Sequence, residues 1–569
     1  MKSKISIIVL CLSILFSSSV VAQNLKSVPA VPLEDVLNVS VRPVSISGVI
    51  PIPLIAWGAD VATIHTDMEG IFRDQGLTVN FFSGDNFPKQ VEMCASGKTP
   101  YLRGTLAMIN SASEFFKQSG INLVTLDQLS WSDGGDCMVV RPHIKKLSDI
   151  KKVALQRFGP HMDYVGNLFT SAKVSLKNVT FVYFDELTFP KEETGSIIDP
   201  VSAFQKDQSI DAVMCISPDA MILTSGGNAG DGSAGSVKGA TILVSTKTAN
   251  RIITDVYAVR SDYNDSHRDD VESFERALRK GQDSYTRLLS TKGMKYNALL
   301  SKSAELLMGS SLATGDIEGM IADCELANFN DNIAFFTGKG TTRNFDNLNA
   351  EIQPVLISLG FMRSKVALTS AGWDYASLAA SLNFTNVNVS APAPKKTEAQ
   401  QAKTQEKVQQ YVEQKVAAES DWSSSGSLFE IVINFNVNQA EFPMSTYAPK
   451  FDTLIDLMDT YSGAIVTIEG YNDPHHWHVR KEAGDPQAAL NAIESLARKN
   501  SQERADNGLG GIKQRAKDRK LSLDFSLVVP LGHGNKNALF PKPANALQSR
   551  DNRRVVVRLI PVVSESDWQ

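Results

Sequence analysis

A polar segment at residues 389–427 differs in composition from everything around it and divides this chain into two units. It opens with Pro and Ala, becomes rich in Gln, Lys and Glu, and closes with a serine cluster. A few apolar residues between 408 and 416 fall at helical spacing, but almost every other position is polar. Such a narrow apolar stripe cannot bury enough area to fold alone. The segment is therefore predicted to be a partly helical, semi-rigid linker between a body, residues 45–388, and a C-terminal unit, residues 428–563.

The composition of the 569 residues is that of an ordinary globular protein, with 43% hydrophobic residues, 21% charged residues, 37 Gly and 23 Pro. These proportions exclude a collagen-like, a disordered and a disulfide-scaffold protein. At roughly 150 residues per domain, the length predicts three or four folding units. The formal net charge of -5 provides no general attraction for nucleic acid, so no nucleic-acid partner is expected.

The first 22 residues have the order of a secretory signal peptide. A short basic start is followed by an apolar run from Ile5 to Phe16 and then by small residues that end at Ala22. This order predicts cleavage after Ala22 and export to the periplasm. The alternative is a membrane anchor, but about 20 apolar residues are needed to cross a bilayer and this run is shorter.

Four cysteines lie beyond the leader, at Cys94, Cys137, Cys215 and Cys324. An oxidising compartment permits disulfides, and four cysteines allow three pairings among which the sequence does not choose. No two cysteines have CxxC spacing, so a structural zinc site is not expected. The sequence predicts no metal and no cofactor.

The body alternates short apolar strands with helical stretches. Helices are predicted at 65–73 and 111–117, and strands at 52–57, 77–82, 122–126, 137–140, 153–155, 179–184, 212–216 and 240–244. This alternation predicts an α/β fold with open, mostly parallel sheets and helices on both faces. In such sheets, ligands bind beyond the carboxyl ends of strands, often against helix N-termini.

Four segments of the body follow one another in a recognisable order: WGADVATIHTDMEGIFRDQGLTVNFF from Trp57, then 89–105, 147–169 and 210–220. Together they resemble the type II periplasmic solute-binding proteins of the nitrate, taurine and thiamine-precursor group. The resemblance implies two α/β lobes that trap a ligand between them by hinge closure.

The lobe boundaries follow from the same resemblance. It implies a first lobe at about 45–139 and 246–388 and a second lobe at about 140–245. The two crossover strands are then expected near Val140 and Ser245.

By motif position, the resemblance also implies an interlobe cleft lined by Trp57, Asp60, Arg103, Gly104, Thr105, Arg157, Phe158 and Asp219. An Arg in such a loop suits an anionic group because its donors form a rigid fork. A small anionic solute is therefore expected, with Trp57 or Phe158 as an aromatic wall. A second interpretation stays open, in which Arg103 pairs with a nearby carboxylate and Trp57 belongs to the core. Because Tyr101-Leu102-Arg103 replaces the family's small polar residues, the ligand itself is not carried over.

The chain has no G-x-S-x-G elbow and no H-E-x-x-H motif. His161 follows Gly159-Pro160 near a predicted helix start, where a capping or loop role is expected rather than that of a base. The sequence therefore predicts a binding protein, and an enzyme on a binding-protein fold is the least favoured hypothesis.

The C-terminal unit has the pattern of a small sandwich with the order βαβαββ. Strands are predicted at 429–437, 464–468, 525–531 and 554–560, and helices at 451–461 and 501–519.

Three segments of this unit, GYND at 470–473, NSQERA at 500–505 and DNRRV at 551–555, resemble the OmpA-like peptidoglycan-binding domain. The resemblance implies that Asp473 takes the amine of diaminopimelate in the wall peptide and that Arg504 takes its carboxylate, with Arg553 in the same site. A zwitterionic group needs one anion and one cation on neighbouring elements. Arg515, eleven residues after Arg504 and on the same helix face, is a competing candidate. Arg553 pairing with a carboxylate such as Asp551 is a further alternative.

An insertion of about 26 residues separates the motifs of Asp473 and Arg504 and contains His475, His476 and His478. Three imidazoles can bind zinc or copper, but a fourth ligand and a scaffold are lacking nearby. A solvated loop beside the wall site is predicted instead.

These observations predict an exported, non-enzymatic fusion in which a solute-binding body is tethered to peptidoglycan. An inner-membrane transporter or an envelope complex would be its further partner. The alternative is a structural envelope protein whose body binds another protein and whose small-molecule cleft is degenerate.

Overall fold

The computed structural model describes residues 24–188, 196–384, 387, 397–418, 427 and 429–560. The leader and both ends of the predicted linker lie outside these described residues. Within the described part of the chain, no helix is both long enough and apolar enough to cross a bilayer. The architecture is mixed α/β, with helices packed on three sheets of four or five strands.

The strands are short, mostly five to seven residues, and the longest, β5 with ten residues, lies in the body. In chain order they are β1 Asn24–Leu25, β2 Ile50–Leu54, β3 Val79–Ser83, β4 Tyr101–Thr105, β5 Leu123–Ser132, β6 Asp136–Val140, β7 Lys152–Gln156, β8 Thr180–Phe184, β9 Ser196–Ile197, β10 Ala212–Ile216, β11 Thr241–Ser245, β12 Thr254–Arg260, β13 Cys324–Leu326, β14 Thr369–Ser370, β15 Phe429–Asn434, β16 Ile465–Gly470, β17 Val528–Gly532 and β18 Arg554–Ile560. The strands predicted in the body are all present, with ends shifted by a few residues.

The helices lie between these strands and, after β12, form a long run. They are α1 Asp60–Met68, α2 Ile71–Asp74, α3 Phe87–Ala95, α4 Leu106–Gln118, α5 His161–Ser171, α6 Pro200–Lys206, α7 Ser217–Leu223, α8 Ser261–Ser266, α9 Arg268–Thr291, α10 Met294–Met308, α11 Thr314–Ala322, α12 Phe329–Thr337, α13 Phe345–Leu359, α14 Tyr375–Ser381, α15 Glu398–Ala418, α16 Met444–Thr460, α17 His475–Glu482, α18 Gln487–Asp518 and α19 Ala546–Asn552.

The first lobe is built on the sheet β13-β5-β12-β4, whose neighbouring strands are all antiparallel, with β14 parallel to β5. A separate parallel pair, β2-β3, is joined to it where the Tyr257 hydroxyl donates to the Pro53 carbonyl at 2.9 Å. The expectation of mostly parallel sheets is therefore wrong for this lobe. Strand β12 returns from the second lobe and enters between β5 and β4, which sets the antiparallel direction.

The second lobe is built on the sheet β11-β6-β10-β7-β8. Strands β7, β8 and β10 are parallel, whereas β6 runs antiparallel to both β10 and β11. Helices α5 and α7 begin immediately beyond the carboxyl ends of β7 and β10, at the end of the sheet that faces the first lobe. Their first turns therefore lie at the junction between the lobes.

Two short segments connect the lobes. The first runs from 133 to 135, between β5 and β6, and the second from 246 to 253, between β11 and β12. The first crossing lies before the predicted position near Val140, because β6 already pairs with the strands of the second lobe. The second crossing begins directly after the predicted Ser245.

The C-terminal unit contains the sheet β15-β18-β16-β17, in which β16 and β17 are parallel and β18 is antiparallel to both of its neighbours. Helices α16 and α18 cover one face. A Cβ atom on Gly470 would lie 1.9 Å from the Ser501 carbonyl oxygen, so glycine is what lets α18 cross the carboxyl end of β16 at this distance. The end of β16 and the middle of α18 are thereby held together.

Helix α15, inside the predicted linker, packs on the other face of this sheet. Its Val408 and Val412 are fully buried in a cluster with Ile465, Leu527 and Val529. The predicted helix is present, and it covers the sheet rather than spanning free between units. The apolar stripe that is too narrow to fold alone is stabilised by this contact.

The C-terminal unit contacts the body at its second crossing. The backbone N–H of Arg251 donates to the Thr460 carbonyl at 3.2 Å, and the Ser462 hydroxyl donates to the Asn250 side chain at 2.7 Å. A Cβ atom on Gly463 would lie 1.7 Å from the Lys247 carbonyl oxygen. The turn after α16 is therefore seated directly on the segment that joins the lobes.

Asp459 joins the C-terminal unit to the body at a second place, residues 341–342, and its substitution tests the importance of this contact. Its Oδ2 accepts hydrogen bonds from Thr341 Oγ1 at 3.0 Å, from the backbone N–H of Thr342 at 2.6 Å and from Thr342 Oγ1 at 2.8 Å. Hydrogen bonds to a charged group contribute about 1.5–3 kcal/mol. We expect Asp459→Ala to lower the free energy of unfolding in urea by about 2 kcal/mol. Asp506→Ala, at an exposed position of α18, should change it by less than about 0.5 kcal/mol. Equal effects of both variants would contradict the assigned role of Asp459.

Candidate functional site

Arg103, predicted to contact ligand, is completely buried in the first lobe and bridges two carboxylates. Its Nη2 lies 2.7 Å from Asp60 Oδ2 and its Nη1 lies 2.8 Å from Asp255 Oδ1. The three side chains are 0%, 0% and 4% exposed. Burial raises the pKa of Asp60 to about 6, against the lowering effect of Arg103. The guanidinium is thus engaged by carboxylates, which is the alternative left open by the sequence.

Gly104 and Thr105 follow Arg103 on β4 and are also buried. Gly104 lies opposite Val256 of β12, and a Cβ atom there would be 3.2 Å from Met108. The Thr105 hydroxyl accepts the backbone N–H of Met108 at 3.3 Å and caps α4. In this structure both residues serve the strand-to-helix turn.

Arg157 and Phe158, predicted for the cleft, lie on the side of the second lobe where the chain's first described residues run. Arg157 Nε lies 2.5 Å from Asp185 Oδ1, and its Nη1 donates to the Pro29 carbonyl at 3.4 Å. The Phe158 ring is 2% exposed and packs edge-on against Phe361 at 5.4 Å. The structure does not bring these two residues together with Asp60 and Arg103.

Trp57 lies at the junction of the lobes. Its Nε1 donates to the Ser130 hydroxyl at 3.1 Å, and the ring covers the first crossing so closely that a Cβ atom on Gly135 would lie 2.4 Å from it. The Gly135 carbonyl accepts the backbone N–H of Ser217 at 2.8 Å, which joins the first crossing to the start of α7. Trp57, the crossing and α7 therefore meet at one place.

Asp136, the residue after Gly135, forms a buried pair with His161. His161 Nε2 lies 2.7 Å from Asp136 Oδ1, with side chains 0% and 6% exposed, and the Ser132 hydroxyl donates to Asp136 Oδ2 at 2.6 Å. His161 Nδ1 has no hydrogen-bond partner within the described part of the chain. His161 is the first residue of α5, as expected from its helix-start position, but its ring binds a carboxylate that the sequence did not identify.

Asp219 and Asp323 complete the junction. Asp219 lies in the first turn of α7, and its Oδ2 is buried without a hydrogen-bond partner among the described residues. The Ser217 hydroxyl donates to Asp323 Oδ2 at 2.6 Å. Burial, and then the charge of Asp199, raise the pKa of Asp219 to about 6. Burial is also the largest cause of the raised pKa of Asp323.

A histidine, a carboxylate and a serine this close invite an enzymatic interpretation. In a nucleophilic site the hydroxyl is hydrogen-bonded to the imidazole that takes its proton. Here Ser132 donates to Asp136, and the imidazole binds the other oxygen of the same carboxylate. The Ser132 hydroxyl is therefore not hydrogen-bonded to the imidazole, and the three side chains do not have the order of a Ser-His-Asp triad.

In the C-terminal unit, Asp473 lies just beyond the carboxyl end of β16. Its Oδ2 lies 3.1 Å from Arg553 Nη1, with side chains 13% and 10% exposed. Its Oδ1 accepts the backbone N–H of His475 at 3.2 Å and lies 3.4 Å from Asn552 Nδ2. The motif residues at 473 and 551–555, separated by about 80 positions, are therefore in direct contact.

Arg504 reaches the same end of the sheet from α18. Its Nη1 donates to the Tyr471 carbonyl at 3.0 Å and to Asn472 Oδ1 at 3.2 Å, and its Nε donates to the Gln439 carbonyl at 2.9 Å. Burial, and then the positive charge of Arg553, lower the pKa of Arg504 to about 10. Arg553 thus pairs with Asp473, while Arg504 lies close by and is held by carbonyl and amide oxygens.

Arg515 lies elsewhere, although it is on the same helix. Its Nε and Nη2 are each 2.8 Å from one of the carboxylate oxygens of Asp452 on α16, more than two helical turns from Arg504. Arg553 pairs with Asp473 rather than with Asp551, whose Oδ1 lies 3.9 Å from Arg550 Nε. Of the competing arginines, Arg504 and Arg553 are the ones next to Asp473.

The histidine-rich insertion forms helix α17 rather than the predicted loop, and α18 begins in its second half. The Trp477 ring packs against His478 at 5.0 Å and under the Lys481 ammonium at 4.5 Å. No group of three His, Cys, Asp or Glu side chains is placed to hold a metal within the described ranges. The four cysteines are free thiols, with Cys137 directly opposite Cys215 on neighbouring strands.

No protein-family model matches the chain, and no curated protein matches it. Among solved structures, a periplasmic sulfonate-binding protein, SsuA, from Methylobacillus flagellatus KT is similar at 15% identity and a TM-score of 0.43, over 63% of this chain and 99% of that one. The nitrate-binding protein NrtA from Synechocystis PCC 6803 matches at 11% identity and a TM-score of 0.40, over 62% and 93%.

The aliphatic sulphonate binding protein SsuA from Escherichia coli matches at 14% identity and a TM-score of 0.37, over 58% of this chain and 95% of that one. At these identities, what each of these proteins binds is a property of that protein alone. The chain is thus similar in outline, over about 60% of its length, to solved periplasmic binding proteins.

Proposed function

We propose that this protein is an exported solute-binding protein that attaches non-covalently to peptidoglycan through its C-terminal unit. The observation that carries the proposal is the contact of Asp473 with Arg553, beside Arg504, at one end of the four-stranded sheet. One carboxylate and two guanidiniums on three different elements match the charges of a zwitterionic group. The attachment would keep the protein in the periplasm, associated with the cell wall.

Binding of the wall peptide would replace one ion pair of the site with new ion pairs to the ligand. Its ammonium group would take the place of one guanidinium at Asp473, and its carboxylate would accept hydrogen bonds from Arg553 and Arg504. Arg504 donates only to uncharged oxygens within the described residues, so its guanidinium favours a ligand that brings a carboxylate. Diaminopimelate in the wall peptide supplies both groups on one carbon atom.

The body would hold a small solute at the junction of its lobes. Support comes from the two connections at 133–135 and 246–253, which allow hinge motion. Trp57 and the first turns of α5 and α7 would contact the solute. Arg103 gives no reason to expect an anionic solute, because Asp60 and Asp255 already neutralise its guanidinium. An inner-membrane transporter or envelope complex would receive the solute.

A second function is favoured by how tightly the junction is filled. The Trp57 ring lies on Gly135, and a Cβ atom on Gly58 would be 2.2 Å from the Met320 carbonyl oxygen. A body closed in this way suits a structural envelope protein that binds another protein and no solute. The two functions share the wall attachment and differ in whether any small molecule binds the body.

Sedimentation with purified, diaminopimelate-containing peptidoglycan tests the attachment. We expect Asp473→Asn and Arg504→Gln each to weaken the affinity by about 10-fold or more, because each removes a charge-assisted contact. Arg515→Gln is the matched control on the same helix, and its affinity should stay within about two-fold of the wild type. Circular dichroism would confirm that all the variants are folded.

Undiminished sedimentation of both site variants would refute the residue assignment. Loss of binding in Arg515→Gln to the same extent would show that the measurement reports general charge instead of this site.

A further inference from the structure

Two cysteines of the second lobe face each other across its sheet. Cys137 of β6 and Cys215 of β10 are directly opposite in antiparallel register. Both side chains belong to one buried apolar cluster, which also contains Val139 and Val213 of the same two strands. The two cysteines are 2% and 0% exposed. They therefore lie side by side on the same face of the sheet.

The spacing of this pair is within the range of a disulfide bond. The next pair but one along the ladder, Gly135 and Ser217, is joined by a backbone hydrogen bond of 2.8 Å. Because hydrogen-bonded pairs alternate along an antiparallel ladder, Cys137 and Cys215 are also such a pair, with Cα atoms about 5.5 Å apart. Disulfides join Cα atoms that are about 4.4–6.8 Å apart. The Cβ atoms of opposite residues lie about 4.5–5.5 Å apart, so the bond requires them to approach by about 1 Å.

The other two cysteines of the described chain have a different setting. Cys94 lies on helix α3, and Cys324 lies opposite Ser132 of β5. Neither of them has a cysteine across from it on a neighbouring strand among the described residues. Of the bonds that the sequence leaves open, the structure therefore supports one, between Cys137 and Cys215.

Burial determines when this bond can form. It raises the pKa of both thiols, so that neither is converted to the nucleophilic thiolate in the folded protein. The thiols are accessible while the second lobe is still folding. Once the sheet is complete, the same burial shields the bond from reducing thiols.

We propose that Cys137 and Cys215 form a disulfide bond in the exported protein and that Cys94 and Cys324 remain thiols. The proposal rests on the proposed export, because the periplasm is an oxidising compartment. The structure shows the reduced form of the pair.

The oxidant is a disulfide, carried by a protein or by glutathione. One cysteine thiolate attacks a sulfur of this disulfide, forms a mixed disulfide and releases one thiol. The second cysteine attacks the mixed disulfide and releases the other thiol. The cysteine pair thus loses two electrons and two protons, and the donor disulfide is reduced to two thiols.

The bond would fasten the second lobe at the end where the lobes meet. Cys137 directly follows Asp136, and Cys215 lies two residues before Ser217, the first residue of α7. The bond would close a segment, residues 137–215, that contains β7, β8, α5 and α6. Closing a long segment stabilises a protein mainly by restricting its unfolded chain.

Mass spectrometry of the protein expressed with its leader and recovered from the periplasm tests the proposal. Thiols are blocked with N-ethylmaleimide during lysis and again after unfolding, and the protein is digested without reduction. We expect N-ethylmaleimide on Cys94 and Cys324 only. The peptides that contain Cys137 and Cys215 should be linked and should separate on reduction.

The chain expressed in the cytosol without residues 1–22 is the control and should carry four labelled thiols. Refolding it with oxidised glutathione should produce the same link and raise its melting temperature by roughly 5 °C or more. Cys94→Ala/Cys324→Ala should keep the link, whereas Cys137→Ala should leave Cys215 as a labelled thiol.

Four labelled thiols in the periplasmic protein would overturn the disulfide and leave the export standing. A link through Cys94 or Cys324 would overturn the assignment of the pair. Protein found only in the cytosol with its leader attached would refute the export. The refolding experiment then decides the pair, because the absence of a link between Cys137 and Cys215 after oxidation would overturn it.

Discussion

Arg103→Met is expected to lower the free energy of unfolding of this protein by about 3–5 kcal/mol. The substitution keeps an unbranched apolar stem but leaves Asp60 and Asp255 buried without their cation. An unpaired buried charge is costly, whereas the intact pair contributes little net stability against an apolar replacement. Removing all three charges in Arg103→Met/Asp60→Asn/Asp255→Asn should therefore restore part of the loss. Urea unfolding followed by circular dichroism measures both effects.

Arg287→Met provides the control, because Arg287 pairs with Asp283 on the exposed face of α9 with its side chain 67% exposed. Its substitution should change the stability by less than about 0.5 kcal/mol. If Arg103→Met kept wild-type stability but lost solute binding, Arg103 would be a ligand residue and the ion-pair interpretation would be wrong.

Glu469→Gln is expected to remove most of the acid sensitivity of the C-terminal unit. Glu469 is 2% exposed on β16, with Arg558 Nη1 at 2.9 Å, the Tyr471 hydroxyl at 2.5 Å and His533 Nε2 at 3.4 Å. Burial alone would raise the pKa of Glu469, but the nearby His533 imidazole, the charge of Arg558 and the hydrogen bond from Tyr471 outweigh it and lower the pKa to about 2.

The lowered pKa of Glu469 in the folded state makes the free energy of unfolding fall at low pH. The carboxyl group of the unfolded chain takes up its proton near pH 4.3, before the native state does, so the stabilisation is present above that pH. It is lost as the pH falls toward 2 and amounts to about 3 kcal/mol. Urea unfolding at pH 6 and pH 2.5 should show this loss in the wild type and little of it in Glu469→Gln.

Glu430→Gln is the matched control, because Glu430 binds the same Arg558 at 2.8 Å but is 42% exposed. Its pH dependence should remain within about 1 kcal/mol of the wild type. An identical pH dependence of Glu469→Gln and the wild type would show that Glu469 is not responsible for the acid sensitivity.

Local patterns predicted most elements of both units, and the errors have physical causes. Strand β15 alternates clearly because only one of its faces is buried. Helix α18 begins at Gln487, fourteen residues before its predicted start, because Ala, Leu, Glu and Lys dominate the insertion after Pro486 and no Pro or Gly interrupts them. Strand direction was predicted wrongly in the first lobe, since the pairing of β12 with β5 and β4 joins segments far apart in the chain.

The candidate sites differ in how far the sequence could reach them. Asp473, Arg504 and Arg553 were named from short motifs and lie together. For Arg103, the motif identified the residue but not its partners, which are 43 and 152 positions away. Asp136 and Asp323 carry no local signal, because an aspartate at a strand start or after a helix is ordinary in sequence.

The sequence by itself determined the α/β class and most strand positions, and it named Asp473, Arg504 and Arg553, which lie near one another in the structure. These are properties of neighbouring residues, whose periodicity and spacing are visible along the chain. Only the tertiary structure decided which carboxylates neutralise Arg103, that His161 pairs with Asp136, and that the C-terminal unit contacts the second crossing. Each of these depends on where distant segments meet, and an ion pair is determined by that distance rather than by separation in sequence.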